Sequence, residues 1–347
     1  MPKPGLSTMA DVARHAGVGV ATVDRVMNQR ARVRADTAQR VLVAAEQIGF
    51  RGAGLIKRRV SESGQQRRLG FLLQKRGSIF FQLMAQALAD AGRAAPQVGE
   101  AVIEFMDDLT PRLVVEQLRR MADRVDALAL VATEHPVICA AVDALGAEGM
   151  PVFPLISDLS SGAAGAYVGL DNRKAGRTAG WAIARLNARP GKVAIMLGTH
   201  RYLCQEDNEV SFRAYFAEQY PDFRVLDTTV TLENRDLAEE ATLEMLHQHP
   251  DLVGFYLAGG GIEGVMEALR QHPAARAIVT VCHELTPLTS AGLRDGYLDL
   301  VISHGRDAMA GQLIDAMLAA AAAGGERGQD GKRQLIMPME LYTPENL

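Results

Sequence analysis

The residues best suited to chemistry in this chain lie near its N-terminus, in the stretch 8–28. Read at helical spacing, the second half of this stretch shows one polar face, made of Ala21, Thr22, Asp24, Arg25 and Asn28. Arg25 has the clearest chemical use, because a guanidinium can donate two parallel hydrogen bonds to guanine. The alternative for Arg25 is a salt bridge to a neighbouring acid. This face is therefore predicted to read bases in a DNA groove.

Two short helices joined by a tight turn would position that face. Thr8 and Asp11 form an approximate capping box, which predicts the start of a first helix. Gly17 should end it, because only glycine takes a left-handed C-cap without strain. A second helix is predicted at 20–28, and a third at 35–48 would close a small core beneath the pair. This is the helix-turn-helix pattern, with an ordinary helical hairpin as the alternative.

The distribution of charge favours DNA binding. Residues 1–68 contain 13 Lys and Arg against 5 Asp and Glu, a net charge of +8. The whole chain carries −4, so the rest of the chain carries −12. A small basic module fused to a large acidic body is typical of DNA-binding proteins, since neutralising phosphates drives their binding.

The N-terminal sequence resembles that of a known family. TMADVARHAGVGVATVDRVMN is similar to the signature of the LacI/GalR (lactose-repressor) regulators, and VRADTAQRVLVAAEQIGF to the helix and aromatic residue that follow it. The resemblance implies a dimeric repressor that binds double-stranded operator DNA. It places Val20, Ala21 and Arg25 against bases and Thr22 and Asn28 against phosphate.

The segment 51–68 resembles the hinge helix of the family, which folds on operator DNA and pushes a leucine into the minor groove. Here the expected proline–asparagine start is missing, and Arg59 stands where the leucine would be. Lys57, Arg58 and Arg59 are predicted to contact phosphates or the minor groove. The alternative is a solvated basic tether.

Length and composition suggest a protein of two or three domains in a reducing compartment. The chain has 347 residues, of which 48% are hydrophobic and 22% charged. Its cysteines, Cys139, Cys204 and Cys282, form no CxxC pair, which favours free thiols in the cytoplasm and no structural zinc. No apolar run has the length of a signal or membrane-spanning segment, which argues against an exported binding protein and a membrane partner.

From residue 69 onward, apolar runs alternate with helical stretches, which predicts parallel sheets flanked by helices. There are too many strands for one sheet, so two α/β lobes with a cleft fit better, as in the type I periplasmic-binding-protein fold that the family shares. The predicted fold is an all-α head and an α/β body. Its predicted limits are 1–50 for the head, 51–68 for the linker, 69–168 plus 297–323 for one lobe and 169–296 plus 324–347 for the other. Single strands are predicted at 223–230 and 334–342.

A ligand should bind in that cleft, because parallel sheets bind ligands at the carboxyl ends of their strands. That rule and the resemblance together predict a lining of Phe80, Phe81, Asp158, His200, Arg201, Asn208, Gly259, Gly260, Gly261, His283 and Glu284. One or both phenylalanines could instead belong to the core. The polar members predict a hydroxyl-rich ligand, a sugar or sugar derivative, that controls operator affinity. If His283 meets the ligand, effector affinity should change between about pH 5 and 8.

A glycine motif offers a competing hypothesis. Residues 259–264 fit GxGxxG after a strand, with Glu284 about twenty residues further on, as in dinucleotide sites. That would indicate an NAD-linked enzyme or a redox sensor. The motif comes late in the chain, however, and glycines also occur where a backbone approaches a ligand closely. With no nucleophile–base–acid arrangement in the sequence, we predict a regulator, neither an enzyme nor a protein with a cofactor or metal.

Overall fold

The computed structural model describes residues 7–28, 33–64, 66–323 and 334–347. The head contains helices α1 (Met9–Ala16), α2 (Val20–Asn28), α3 (Ala35–Gln47) and α4 (Ala53–Gly64). The predicted capping box is present, with the Asp11 N–H bonded to Thr8 Oγ1 and the Thr8 N–H bonded to the Asp11 carboxylate. Gly17 ends α1 at a φ of 64°, in the left-handed region. The local signals therefore place the first two helices correctly.

The head has a small core to which all four helices contribute. Its buried side chains are Val12, Ala13, Ala16, Val23, Val26, Ala38, Val41, Leu42, Ala44, Ala45, Ile56 and Val60. Ile56 is fully buried, whereas its neighbour Leu55 is 43% exposed. Ile56 and Val60 lie one turn apart on α4, so they face the same side. Residues 53–64 therefore form a fourth helix of the head, and contact of Lys57, Arg58 and Arg59 with DNA stays a prediction.

A parallel sheet forms the centre of the first lobe. Its strands are β1 (Arg67–Gln74), β2 (Val98–Met106), β3 (Ala127–Leu130) and β4 (Val152–Pro154), in the order β2-β1-β3-β4. Helices α5 (Ile79–Ala94), α6 (Pro111–Ala122) and α7 (Pro136–Ala147) connect these strands in turn. All four residues of β3 are buried, as expected for a central strand covered on both faces.

The chain passes through a short strand β5 (Tyr167–Gly169) and then builds the second lobe. Its helices are α8 (Asn172–Leu186), α9 (Leu203–Gln219), α10 (Arg235–Gln248), α11 (Ile262–Gln271) and α12 (Pro287–Arg294). Its strands are β6 (Lys192–Leu197), β7 (Arg224–Val225), β8 (Thr229–Val230), β9 (Leu252–Leu257), β10 (Val279–His283) and β11 (Leu300–His304). They pair in parallel, with β9, β7 and β8 beside β6 and β10 between β9 and β11.

The described part of the chain crosses from one lobe to the other at three places. The first follows β5, which joins the first sheet at the Leu155–Val168 bridge. The second is at Gly305, after which α13 (Arg306–Ala322) packs against α5. The third lies between β12 (Gln334–Ile336), which pairs with β5, and β13 (Met339–Tyr342), which runs antiparallel to β11.

One predicted domain limit and two predicted strands need correction. Strand β11 belongs to the second sheet, so the chain returns to the first lobe at Gly305 rather than at residue 297. The strand predicted at 334–342 is two strands in different sheets, interrupted at Met337 and Pro338, and proline cannot donate a ladder hydrogen bond. The strand predicted at 223–230 is likewise divided into β7 and β8. Throughout the described ranges, no helix combines the length and apolar character needed to span a bilayer.

Candidate functional site

The predicted DNA-reading face lies on α2. Val23 and Val26 point into the head core, while Val20, Ala21 and Arg25 are exposed on the opposite side and Thr22 is half-buried. Arg25 forms no ion pair with any described residue, so the salt-bridge alternative is not observed within 7–28, 33–64, 66–323 and 334–347. The exposed guanidinium is therefore available to a ligand.

Asn28, predicted to face phosphate, has a partner within the head. Its amide donates a hydrogen bond of 2.7 Å to the carboxylate of Asp24, one turn earlier on α2. The same bond holds the Asp24 carboxylate toward Asn28. Contact between Asn28 and phosphate would require this bond to be shared or broken.

The basic residues of α4 are divided in their contacts. The Lys57 ammonium lies 3.7 Å from the carboxylate of Glu46, and both side chains are exposed. The side chain of Arg58 lies outside the described part of the chain. Arg59 and Arg25 line a cavity of about 570 Å³ between the head and α5 of the first lobe. A DNA duplex does not fit a space of this size, so base reading by Arg25 requires the head to turn away from the lobe.

The two lobes touch each other at the carboxyl ends of their strands. The Tyr202 hydroxyl donates to the buried Gln74 Oε1 at 2.7 Å, from after β6 to the end of β1. The Lys75 ammonium donates to the main-chain oxygen of Glu233 at 2.8 Å. The Glu134 N–H donates to the Arg201 carbonyl at 2.7 Å. These bonds bridge the cleft, so the structure shows the lobes in a closed arrangement.

The first lobe contributes aromatic and acidic side chains. Phe80 and Phe81 lie in the first turn of α5, both half-buried, with ring centroids 5.0 Å apart in an edge-to-face arrangement. Both also pack against the main hydrophobic cluster, so each combines a core contact with a partly open ring. Asp158 follows β4 and accepts a hydrogen bond of 2.8 Å from the Leu159 N–H.

An imidazole–carboxylate pair lies at the hinge between β11 and α13. His304 Nδ1 is 2.6 Å from Glu284 Oε1, and the His304 ring centroid is 6.5 Å from that of Phe80. Burial alone would raise the pKa of Glu284, but the charge and hydrogen bonds of His304 outweigh it and hold that pKa below its usual value. His304 was not predicted. Its signal was its position at the carboxyl end of a predicted strand, the same rule that identified Glu284.

The prediction for His283 requires a correction. Its Nε2 lies 2.6 Å from the Tyr256 hydroxyl oxygen in a hydrogen bond, and burial lowers the pKa of His283 to about 4. The imidazole therefore stays neutral between pH 5 and 8. A change in effector affinity over that range is not expected from His283, because desolvation disfavours its charged form.

Glu233 also lies at the cleft, although no sequence motif predicts it there. It follows β8 in a loop where Leu232 and Glu233 have φ values of 53° and 56°, both left-handed. Gln205 Nε2 donates to Glu233 Oε1 at 2.7 Å, while Gln205 Oε1 accepts from the Gly198 N–H at 2.9 Å. A Cβ atom on Gly198 or on Gly260 would overlap the Glu233 carboxylate. Glycines thus make room for an acidic side chain of the protein itself.

The same contacts explain the glycine motif at 259–264. Gly261 begins α11 at a φ of 99°, and a Cβ on Gly264 would meet the backbone of α10. The Glu233 carboxylate lies beside Gly260, where its charge would repel a pyrophosphate. Glu284, the acid that would bind the ribose of a dinucleotide, is bonded to a histidine instead. The structure gives the dinucleotide hypothesis no support.

Three further predicted residues differ in their surroundings. His200 is exposed and bonded to Glu209 at 2.9 Å, on the outer side of α9. The Arg201 side chain is exposed. Asn208 is only 3% exposed and lies on the inner face of α9, one turn after Gln205, and its Oδ1 has no partner among the described residues. Contact of Asn208 or His200 with a ligand stays a prediction.

The three cysteines lie apart from one another and form no disulfide. All three are free, and burial raises the pKa of the Cys204 thiol to about 12, so it stays protonated. Within the described ranges, no group of three or more His, Cys, Asp and Glu side chains could hold a metal ion.

Two family models match the sequence. Residues 8–52 match bacterial regulatory proteins of the lacI family, and residues 69–326 match the periplasmic binding protein domain. The second match spans most of the chain. Comparison with curated proteins gives no match.

Solved sugar-binding proteins share the fold of the body. A glucose-galactose binding protein from Geobacillus stearothermophilus is 18% identical with a TM-score of 0.72, over 81% of this chain and 98% of that chain. A periplasmic solute binding protein from Actinobacillus succinogenes 130z with bound D-allose is 19% identical with a TM-score of 0.70, over 80% and 98%. A solute binding protein from Burkholderia graminis C4D1M in complex with D-arabinose is 19% identical with a TM-score of 0.72, over 80% and 96%. At this identity the likeness shows the fold alone.

Proposed function

This chain belongs to the LacI-type regulators whose body is a periplasmic-binding-protein domain, and from that membership we propose that it is a cytoplasmic repressor that binds operator DNA as a dimer under the control of a small ligand. The observation that carries the proposal is the exposed Arg25 on the second helix of a basic helix-turn-helix head. One such helix covers only a few base pairs, so two heads on a near-palindromic site give useful affinity.

The dimer surface lies on the body in this proposal, because the heads must be free to reach DNA. Helices α5 and α10 are the two candidate faces. The head joins the first lobe through α4, so a change in the angle between the lobes changes the separation of the two heads. That separation must match the half-site spacing of the operator.

The ligand in this proposal is rich in hydroxyl groups and binds between the lobes. The first lobe provides the partly open rings of Phe80 and Phe81, and Asp158 after β4. The second lobe and hinge provide Asn208, Gly260, His283 and Glu284, together with His304. The bound D-allose and D-arabinose of the similar structures support a sugar-like ligand. A ligand that contacts both lobes shifts their closure by its differential affinity for the two states.

Replacing Arg25 with alanine tests the DNA-reading role. We expect Arg25→Ala to reduce discrimination between a selected operator and a scrambled duplex by about 1–3 kcal/mol, the usual contribution of an arginine that binds guanine. The measurement is fluorescence anisotropy with both duplexes at one salt concentration. Arg40→Ala is the matched control, since Arg40 is exposed on α3 of the same head. Unchanged discrimination in Arg25→Ala would exclude Arg25 from base reading.

A further inference from the structure

We propose that the effector carries a protonated amine and that this amine binds the carboxylate of Glu233. The ligand class is then an amino sugar or a similar amine-bearing polyol rather than a neutral sugar. This inference rests on the proposed function of the cleft, because it assumes that the ligand binds between the lobes.

One oxygen of the Glu233 carboxylate accepts a hydrogen bond and the other has no hydrogen-bond partner among the described residues. Oε1 accepts the hydrogen bond from Gln205, and within the described ranges no group is bonded to Oε2. The side chain is half-buried against Gly198 and Gly260. The Lys75 ammonium binds the main-chain oxygen of Glu233, not its carboxylate. Hydrogen bonds from a cationic donor to a carboxylate are stronger than those from a neutral donor, so this oxygen suits a cationic partner.

The loop conformation directs this carboxylate into the cleft. Leu232 and Glu233 both have left-handed φ angles, which residues other than glycine rarely adopt. Leu232 is 65% exposed, so packing of its side chain does not impose this conformation. Strained backbone conformations of this kind are retained at sites where a particular side-chain direction is needed.

Two buried polar atoms, one in the second lobe and one at the hinge, also lack partners among the described residues. They are Oδ1 of Asn208, on the inner face of α9, and Nε2 of His304, which is 4% exposed beside Phe80. The carboxylate of Glu284 accepts from Nδ1 of His304, which leaves Nε2 of that ring unbonded within the described ranges. Buried polar atoms are normally hydrogen-bonded, so these atoms indicate a ligand that carries hydrogen-bonding groups.

Apart from Lys75, which binds the main-chain oxygen of Glu233, no described cation is paired with this acid. Glu284 is matched by His304, while His200 is held by Glu209. His283 is neutral, since burial lowers its pKa to about 4. The metal alternative is not supported, because the described residues hold no cluster of three ligating side chains. An organic cation that carries hydroxyl groups therefore complements the cleft better than a neutral sugar.

Calorimetric titration of the full chain with matched pairs tests this inference. The probes are D-glucosamine against D-glucose and D-galactosamine against D-galactose, at about pH 6.5, where amines are protonated. We expect at least one amino sugar to bind about tenfold or more tightly than its hydroxyl parent. Glu233→Gln, which keeps the shape, should reduce the difference to about twofold, whereas Glu233→Asp should retain part of it. Glu267→Gln, an exposed acid on α11, is the control and should change nothing.

Each outcome decides a separate point. Equal binding of amino and neutral sugars, no binding by either amino sugar, or a preference that persists in Glu233→Gln would overturn the inference. If neutral sugars bind and shift operator affinity, the proposed function stands without the amine. If an amino sugar binds through Glu233 but never shifts operator affinity, the amine inference stands and the proposed function fails.

Discussion

Replacing Glu284 with alanine is expected to lower the free energy of unfolding of the body by about 3–5 kcal/mol, the usual cost of removing one member of a buried ion pair. His304 is 4% exposed, and its Nδ1 lies 2.6 Å from the Glu284 carboxylate. Without that carboxylate, a buried imidazole nitrogen loses its partner. Urea denaturation at neutral pH measures the loss, with Glu284→Gln as the variant that keeps an acceptor but removes the charge.

The pH dependence of this effect has a defined sign. The folded pKa of Glu284 lies below its ordinary value of 4.5. Its contribution to stability is therefore fully present above about pH 4.5 and is lost as the pH falls through the folded value. We expect the difference between wild type and Glu284→Ala to shrink in acid. A difference that stays constant from neutral pH to pH 3 would show that the pair is not ionic.

The second large effect is expected in the head. Ile56→Ala should destabilise the head by about 2–5 kcal/mol, because it removes a fully buried side chain from a small core. Leu55→Ala removes the same kind of side chain one position earlier, where it is 43% exposed, and should change stability by about 0.5 kcal/mol or less. Both effects are measured by thermal unfolding in which the loss of the folded head is monitored by limited proteolysis. Equal effects from the two variants would mean that α4 does not pack on the head.

Features specified by neighbouring residues could be predicted from the sequence. The Thr8–Asp11 box and Gly17 define α1 within a few residues, and apolar spacing places Val23 and Val26 inside the head. Alternating strands and helices likewise specify two lobes of parallel sheet. These signals are local because capping and amphipathic periodicity act within one or two turns.

The parts that could not be predicted depend on distant segments. The direction of Glu233 follows from two left-handed residues and from Gly198 and Gly260, which no periodicity relates to each other. His304 gains its role through Glu284, twenty residues earlier. The return of the chain to the first lobe at Gly305 is predicted too early, at residue 297. The reason is that the sequence of an apolar strand such as β11 does not indicate which sheet it joins.

The claim that the cleft controls DNA binding is tested most directly by measuring the coupling in both directions. Operator affinity is measured by fluorescence anisotropy with and without the ligand that saturates the cleft. Ligand affinity is then measured by calorimetry with and without operator DNA, at the same salt concentration. We expect each affinity to change by the same factor, about 5- to 150-fold, because coupling between two sites is reciprocal. A ligand that fills the cleft and leaves operator affinity unchanged would contradict the account.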